Sequence, residues 1–311
     1  MFSIIFPGQG SQIIGMAREF YDNFGYVKDY FKQADEILNK KLSKIILEGP
    51  KESLDLTENT QPSIFLASFS IFKVLERESK LNVKNAKYYA GHSLGEYSAL
   101  CCAESIDFTQ TIELLKFRGR AMQNAVPKGE GGMIAVLGQE ISDLNKIIKD
   151  NNNNFQCYIA NDNSIGQIVV SGKLSSIKKF GEELKKKKIK FVELSVSAPF
   201  HCPLMSKATE EMKKEFANIH FKQSDITLIS NVTADKISNV DDLKSLLIDQ
   251  IEKKVRWRES IVNMINYGVD QFIEIGPGKV LTGMVKRTIK DANTFSINSI
   301  ADIKNTINEI K

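Results

Sequence analysis

The sequence predicts an α/β protein with a large core and a second, differently ordered unit set into it. Three observations lead there. Strand-sized apolar runs alternate with amphipathic helical patterns along most of the chain. The chain has 311 residues, 42% of them hydrophobic, more than one minimal domain uses. A middle stretch, about residues 126–198, reads in another order, β-α-β-β-α-β.

Taken in order, Phe2–Phe6 ("FSIIF") is an apolar strand that runs into the glycine-rich loop "PGQGS". A helical pattern spans about Pro62–Glu78. The strand Lys87–Ala90 follows, then a helix from Leu94 to Ala103. Asp107 and Gln110 have the spacing of a capping box and open a helix ending near Asn124. The middle stretch then gives a strand at Gly132–Leu137, a helix at Ser142–Lys149, strands "FQCYIA" and "QIVVSG", a helix at Ser175–Lys187 and the strand "KFVELSV". That order is ferredoxin-like, and it divides the chain into a discontinuous large unit (1–125 and 199–311) and an inserted small one (126–198). Beyond it come a helix at Pro203–Phe216, strands at Ile226–Ile229 and Val269–Ile275, and a helix at Val280–Ile289. The run Asn151–Asn154 reads as a loop tip. Lys185–Lys188 reads as the solvated end of a helix, where positive charge is favourable.

Composition excludes several classes. A net charge of +4 is mild and does not point to nucleic acid. No apolar run approaches the roughly 20 residues of a membrane span. Cys101, Cys102, Cys157 and Cys202 have neither CxxC pairing nor metal spacing, and fit reduced thiols in the cytoplasm. The N-terminus enters a strand directly, so no targeting segment is expected.

The chemistry centres on "GHSLG", residues 91–95, a G-x-S-x-G between a predicted strand and a predicted helix. That is the context of a nucleophile elbow, which lifts the Ser93 hydroxyl out over a helix N-terminus. A plain strand-to-helix turn built of small residues is the competing reading, and the flanking elements favour the nucleophile. His92 is not the base, because side chains of successive residues diverge at such a turn. The chain holds three histidines. His220 lies among polar residues and reads as a surface group. His201 lies between Pro199 and Pro203, which stiffen its loop and can present the ring in a fixed direction. A lone loop histidine is more often simply packed, but beside an elbow serine the catalytic reading is preferred.

An oxyanion needs two N–H donors. Leu94, after the nucleophile, supplies one, and Gln9, bracketed by Gly8 and Gly10, suits the other. The loop lacks the G-K-[ST] ending of a phosphate-cradling P-loop. Arg118 interrupts an apolar helix face made by Leu114, Leu115 and Met122, whereas Arg120 sits with Glu113 and Lys116 on a polar face. An inward guanidinium requires an anion, either an acid of the protein or a substrate carboxylate. Spacing alone leans slightly to the former.

Six stretches, "FPGQGSQ", "GHSLGEYSAL" followed by "IDF", "RGRAMQ", "NSIGQIVVSG", "FHCPLM" and "EIGPGKVLTGMVKR", occur in an order and spacing that resembles the malonyl-CoA:acyl carrier protein transacylases of type II fatty acid synthesis. The resemblance covers nearly the whole chain. It implies an α/β-hydrolase-like large domain, a ferredoxin-like small domain and an active site in the cleft between them. It implies Ser93 as acyl-accepting nucleophile, His201 as base, Gln9 and Leu94 as oxyanion donors, and Arg118 as holder of the malonyl carboxylate. Gln250 falls where the family orients the histidine with a backbone carbonyl. Arg256 departs from the family, which often has an uncharged residue there.

The expected reaction is ping-pong transfer from malonyl-CoA to holo acyl carrier protein through a malonyl-serine ester. It requires no metal and no cofactor, and no nucleic-acid or membrane partner. The rivals are a thioesterase that uses water as acceptor, a polyketide-type acyltransferase acting in trans, and a non-catalytic acyl-binding module. The last would need a broken nucleophile or base, and both residues are present.

Overall fold

The computed structural model describes residues 1–150, 155–196 and 198–310; Asn151–Asn154, expected as a loop tip, lie outside them. Nine strands form two sheets among the described residues. β1 (Phe2–Phe6), β2 (Tyr88–Gly91), β7 (Thr227–Ile229), β8 (Gln271–Ile275) and β9 (Asn293–Ile297) make a parallel sheet in the order β7-β2-β1-β8-β9. β3 (Gly131–Leu137), β4 (Cys157–Ser164), β5 (Gln167–Lys173) and β6 (Phe191–Glu193) make an antiparallel sheet in the order β4-β5-β3-β6. The chain is therefore mixed α/β, with a parallel sheet and a separate antiparallel one.

The inner strands β1, β2 and β8 are buried at every position, because helices cover both faces, while the edge strand β9 is mostly half-buried. The chain leaves β1 for β2 on one side and returns to β8 on the other, so the direction of winding reverses at β1. Crevices outside the carboxyl ends of strands at such a point hold ligands. The loops after β1, β2, β7 and β8 all open there.

In the antiparallel sheet, alternation assigns each face. Ile134 and Val136 of β3, with Ile168 and Val170 of β5, pack beneath the helices Ile141–Asp150 and Leu174–Lys186 around Leu144 and Phe180. Met133, Ala135 and Val169 point the other way, into the cleft.

Several boundaries differ from the sequence expectation, each for a tertiary reason. The helix expected from Pro62 starts at Thr57. Its extra turn is held from outside: the Thr57 N–H donates to Gln123 Oε1 at 2.9 Å, and Thr60 Oγ1 donates to the Leu54 carbonyl at 2.6 Å. Asp107 caps its helix by accepting from the Gln110 N–H at 2.8 Å, but the reciprocal capping box belongs to Ser299 and Asp302. β6 ends at Glu193, and Leu194 and Val196 continue as cleft wall.

β4 runs on through the polar stretch Asn161–Ser164, which the sequence pattern does not mark as strand. These residues tie the antiparallel sheet to the segment around Val255 and Arg258. The Asp162 N–H donates to the Val255 carbonyl at 2.9 Å, the Val255 N–H donates to Ala160 at 2.9 Å, and Arg258 Nε reaches both Asp162 carboxylate oxygens at 2.9 and 3.1 Å. Paired in this way, the Asp162 carboxylate can occupy a buried strand, while the Ser164 hydroxyl has no partner among the described residues.

The tightest packing is at the elbow after β2. A Cβ on Gly91 would overlap the backbone of Gly95, and one on Gly95 would overlap the Phe6 carbonyl. Gly95→Ala should therefore cost on the order of 3 kcal/mol or prevent folding. Gly25→Ala, at an exposed helix start with nothing near the added carbon, should be neutral or stabilising by at most about 1 kcal/mol. Urea unfolding of the two variants compares them directly.

Candidate active site

Ser93 occupies the turn between β2 and the helix Gly95–Cys102, with φ at +54°. A left-handed backbone costs a non-glycine residue about 1–2 kcal/mol, so the surroundings must hold it. Asn231, in the turn after β7, does so: its Oδ1 accepts the Ser93 N–H at 2.7 Å and its Nδ2 donates to the Gly91 carbonyl at 2.7 Å. Sequence reasoning missed Asn231, whose one signal is a polar residue in the loop at a parallel strand's carboxyl end.

His201 Nε2 lies 2.9 Å from Ser93 Oγ. The His201 backbone is also left-handed, φ +56°, in the loop that Pro199 and Pro203 stiffen. On the far side of the ring, Nδ1 donates to the Gln250 backbone carbonyl at 2.7 Å. This bond fixes the Nδ1–H tautomer and leaves the Nε2 lone pair facing the serine. The orienting group is a carbonyl, so no Ser-His-acid triad forms among the described residues. His201 is buried. Burial, and then the nearby Arg118 charge, drive its pKa down to about 3, against the opposing pull of the Gln250 hydrogen bond.

The loop after β1 is pressed onto the elbow. Gly8 lies against the His92 carbonyl with no room for a side chain, and Ser11 Oγ closes the loop by donating to the Gly8 carbonyl at 2.8 Å. Gln9 and Leu94 line the same cavity as Ser93, and no acceptor among the described residues takes the N–H of either.

Arg118 is buried, only 1% exposed, as its place in an apolar face predicts. Its hydrogen-bond partners are neutral. Nη1 donates to Gln61 Oε1 at 2.7 Å, Nη2 donates to Gln250 Oε1 at 2.8 Å, and Nη2 also reaches Ser93 Oγ at 3.3 Å. The guanidinium lies over the Tyr97 ring at 5.4 Å. The nearest acid, Glu96, stands behind Gln250, whose Nε2 donates to Glu96 Oε2 at 2.6 Å and to the Ser93 carbonyl at 3.0 Å. The expected choice between an acid of the protein and an outside carboxylate thus resolves into a third arrangement: the acid is present, one amide away. The side chains of Gln61, Glu96 and Gln250 gave no sequence signal, because nothing in their spacing shows that three distant segments meet.

Ser93, His201, Arg118, Gln61, Gln9 and Leu94 line a cavity of about 380 Å3, walled on its other side by Met133, Ala135 and Val169. His92 faces away from the Ser93 hydroxyl. Its Nε2 pairs with Asn163 Oδ1 at 2.8 Å and its ring meets Trp257 edge-on. His220 is exposed.

Comparison with known proteins agrees with this geometry. The profile of the acyl transferase domain matches residues 3–308. The chain is 40% identical to the malonyl CoA-acyl carrier protein transacylase of Bacillus subtilis (strain 168), over 99% of this chain and 97% of that one. The chain belongs to the malonyl-CoA:acyl carrier protein transacylases of this acyl transferase family. The Escherichia coli (strain K12) transacylase is 35% identical over 96% of each chain. Among solved structures, the transacylase of Clostridium perfringens superposes with a TM-score of 0.92 at 36% identity, covering 99% of this chain and 96% of that one. A malonyl-transacylase in complex with a type II PKS acyl-carrier protein superposes at 0.95 with 34% identity, covering 99% of each.

Within this transacylase chain, Arg256 has a structural account. Nε donates to Glu259 at 2.9 Å, Nη2 pairs with the same carboxylate, and Nη1 donates to the Thr233 carbonyl at 3.0 Å. It fastens the turn that carries Asn231 to the helix Trp257–Asn266. The low His201 pKa makes a further prediction. The ring should stay neutral to well below pH 6, so unfolding, not protonation of His201, should set the acid limit of activity. In Arg118→Ala, loss of the neighbouring positive charge should move the His201 midpoint upward, as read by NMR titration of the ring.

Proposed function

We propose that the protein transfers a malonyl group from malonyl-CoA to the phosphopantetheine thiol of holo acyl carrier protein, in fatty acid biosynthesis in the cytoplasm. The observation that carries this reading is a buried arginine with no carboxylate in contact among the described residues, reaching the hydroxyl of a serine that is already paired with a histidine. The names of the relatives point the same way.

In the first half-reaction His201 Nε2 takes the Ser93 proton as Oγ attacks the thioester carbonyl. The N–H groups of Gln9 and Leu94 hold the oxyanion. His201 returns the proton to the departing CoA thiol, leaving a malonyl-serine ester. The carrier thiol then attacks, and the same steps run in reverse. Arg118 holds the malonyl carboxylate through its planar fork. The Gln250 carbonyl keeps the His201 tautomer but stabilises an imidazolium less than an acid would. This suits a symmetrical exchange between two thiols of similar basicity. No step calls on a metal or a bound cofactor.

The architecture we assign is an α/β-hydrolase-like unit, 1–125 with 199–311, carrying a ferredoxin-like insertion, 126–198. The strand–elbow–helix at Ser93 supports the first, and the antiparallel order β4-β5-β3-β6 supports the second. Among the described residues no helix is long and apolar enough to cross a membrane. A polyketide carrier is a second reading, favoured by the solved relative bound to a type II PKS acyl-carrier protein. Comparing the two classes of carrier as acceptors decides between them.

Intact-protein mass spectrometry after mixing with malonyl-CoA should give an adduct mapping to Ser93. Ser93→Ala should lose it and slow transfer by at least about 10³-fold. Rapid hydrolysis of malonyl-CoA without carrier would instead indicate a thioesterase. Arg118→Ala should lower malonyl transfer about 100-fold more than acetyl transfer, and Arg118→Lys should recover part of it. Equal losses for both substrates, tracking a lower melting temperature, would make Arg118 structural.

A further inference from the structure

Glu96 is a buried carboxyl that the transfer chemistry does not use. It is 2% exposed, and one amide separates it from the guanidinium. We propose that Glu96 is the charge-compensating acid of the site: when a dicarboxylic acyl group binds Arg118, Glu96 takes up one proton from solvent, and it gives the proton back when the acyl group leaves. The proposal rests on the reading of Arg118 as carboxylate receptor.

The charge count comes first. Empty, the cluster holds one cation, Arg118, and one anion, Glu96, bridged by neutral Gln250. The malonyl carboxylate adds a second anion beside the single cation. A buried charge without a partner is costly, and a group that can titrate neutralises instead. The other charged or titratable groups facing the cluster do not supply compensation. Tyr97, on the same helix, and His92, at the elbow, both gain from staying neutral because they are buried. His201, on the proline-bracketed loop, is held neutral by burial and by Arg118. The helix Thr57–Glu78 contributes neutral Gln61, while its Lys73 and Glu76 lie by Cys102 at the far end. Gln250 and Asn231 are amides.

Hydrogen bonding leaves a seat for the proton. Glu96 Oε2 accepts both bonds made to the carboxyl, from Gln250 Nε2 at 2.6 Å and from the Asn231 N–H at 3.3 Å. Oε1 can carry a proton without breaking either. The Gln250 amide keeps its orientation in both states, since its Nε2 still finds acceptors in Glu96 and the Ser93 carbonyl, and its Oε1 still accepts from Arg118. Burial already lifts the Glu96 pKa to about 7, against the opposing hydrogen bonds from Gln250 and Asn231 and the Arg118 charge. Pairing of Arg118 with a substrate anion weakens that last pull and lifts the pKa further. Proton uptake is then largest just above neutrality.

The test is calorimetry of malonyl-CoA binding to Ser93→Ala, which cannot be acylated, in buffers of different ionisation enthalpy. Near pH 8 uptake should approach one proton per malonyl-CoA and be close to zero for acetyl-CoA; near pH 6, where Glu96 is already protonated, both should be close to zero. Adding Glu96→Gln, which preserves both accepted hydrogen bonds, should abolish the uptake and tighten malonyl-CoA binding at pH 8. In the wild type, the KM for malonyl-CoA should rise about tenfold per pH unit above neutrality, with a flat profile for acetyl-CoA. Equal uptake with acetyl-CoA, uptake that survives Glu96→Gln, or a flat wild-type malonyl profile overturns the proposal. The wild-type profile decides the matter even if the Glu96 variant does not fold. Failure of the Arg118 reading looks different: malonyl-CoA would bind Ser93→Ala equally well with and without Arg118→Ala.

Discussion

Everything in the site is referred to a turn that has no room for a side chain on either flank. Gly91 and Gly95 touch each other, Gly95 touches the end of β1, and Gly8 touches His92. The end of β1 with its loop and the two sides of the elbow are thereby brought to within a backbone's thickness of one another. That contact forces Ser93 into a left-handed conformation, sets the start of the following helix and presses the glycine-rich loop over it. The strain of about 1–2 kcal/mol at Ser93 is held by Asn231 and by the surrounding sheet.

The second organising constraint is electrostatic. A guanidinium in the core requires solvation, and here amides and a hydroxyl supply it. Amide dipoles pair with Nη1 and Nη2 without cancelling the charge, whereas a carboxylate in contact would do both; Nε has no partner among the described residues. The positive field that remains can act on a ligand carboxylate, and it also holds His201 neutral and ready to accept a proton. Gln250 couples these effects: its backbone orients the histidine, and its side chain joins arginine, acid and elbow.

The antiparallel sheet closes the cleft with one face and packs its own helices with the other. Its attachment has a polar part, through β4, Val255 and Arg258, and an apolar part, in which Met133, Ala135, Ala160 and Val169 join the main core. Near the end of that strand Asn163 Oδ1 pairs with His92, so the residue before Ser93 links the antiparallel sheet to the elbow.

Much of this was legible in the sequence, because some physical demands are local. Apolar runs and helical patterns identified β1, the helix expected from Leu94 and the β-α-β-β-α-β order. The glycines beside Ser93 marked the turn, and the prolines beside His201 marked its rigid loop. A charge in an apolar helix face marked Arg118 as buried. What the sequence could not supply were the partners of buried polar groups. Asn231, Gln61, Glu96 and the Gln250 side chain lie on separate elements, and their hydrogen bonds exist only once the parallel sheet has formed. For the same reason the polar end of β4 and the first turn of the helix at Thr57 did not read as regular structure. Propensity is written residue by residue, whereas satisfaction of a buried polar atom depends on whichever distant segment arrives beside it.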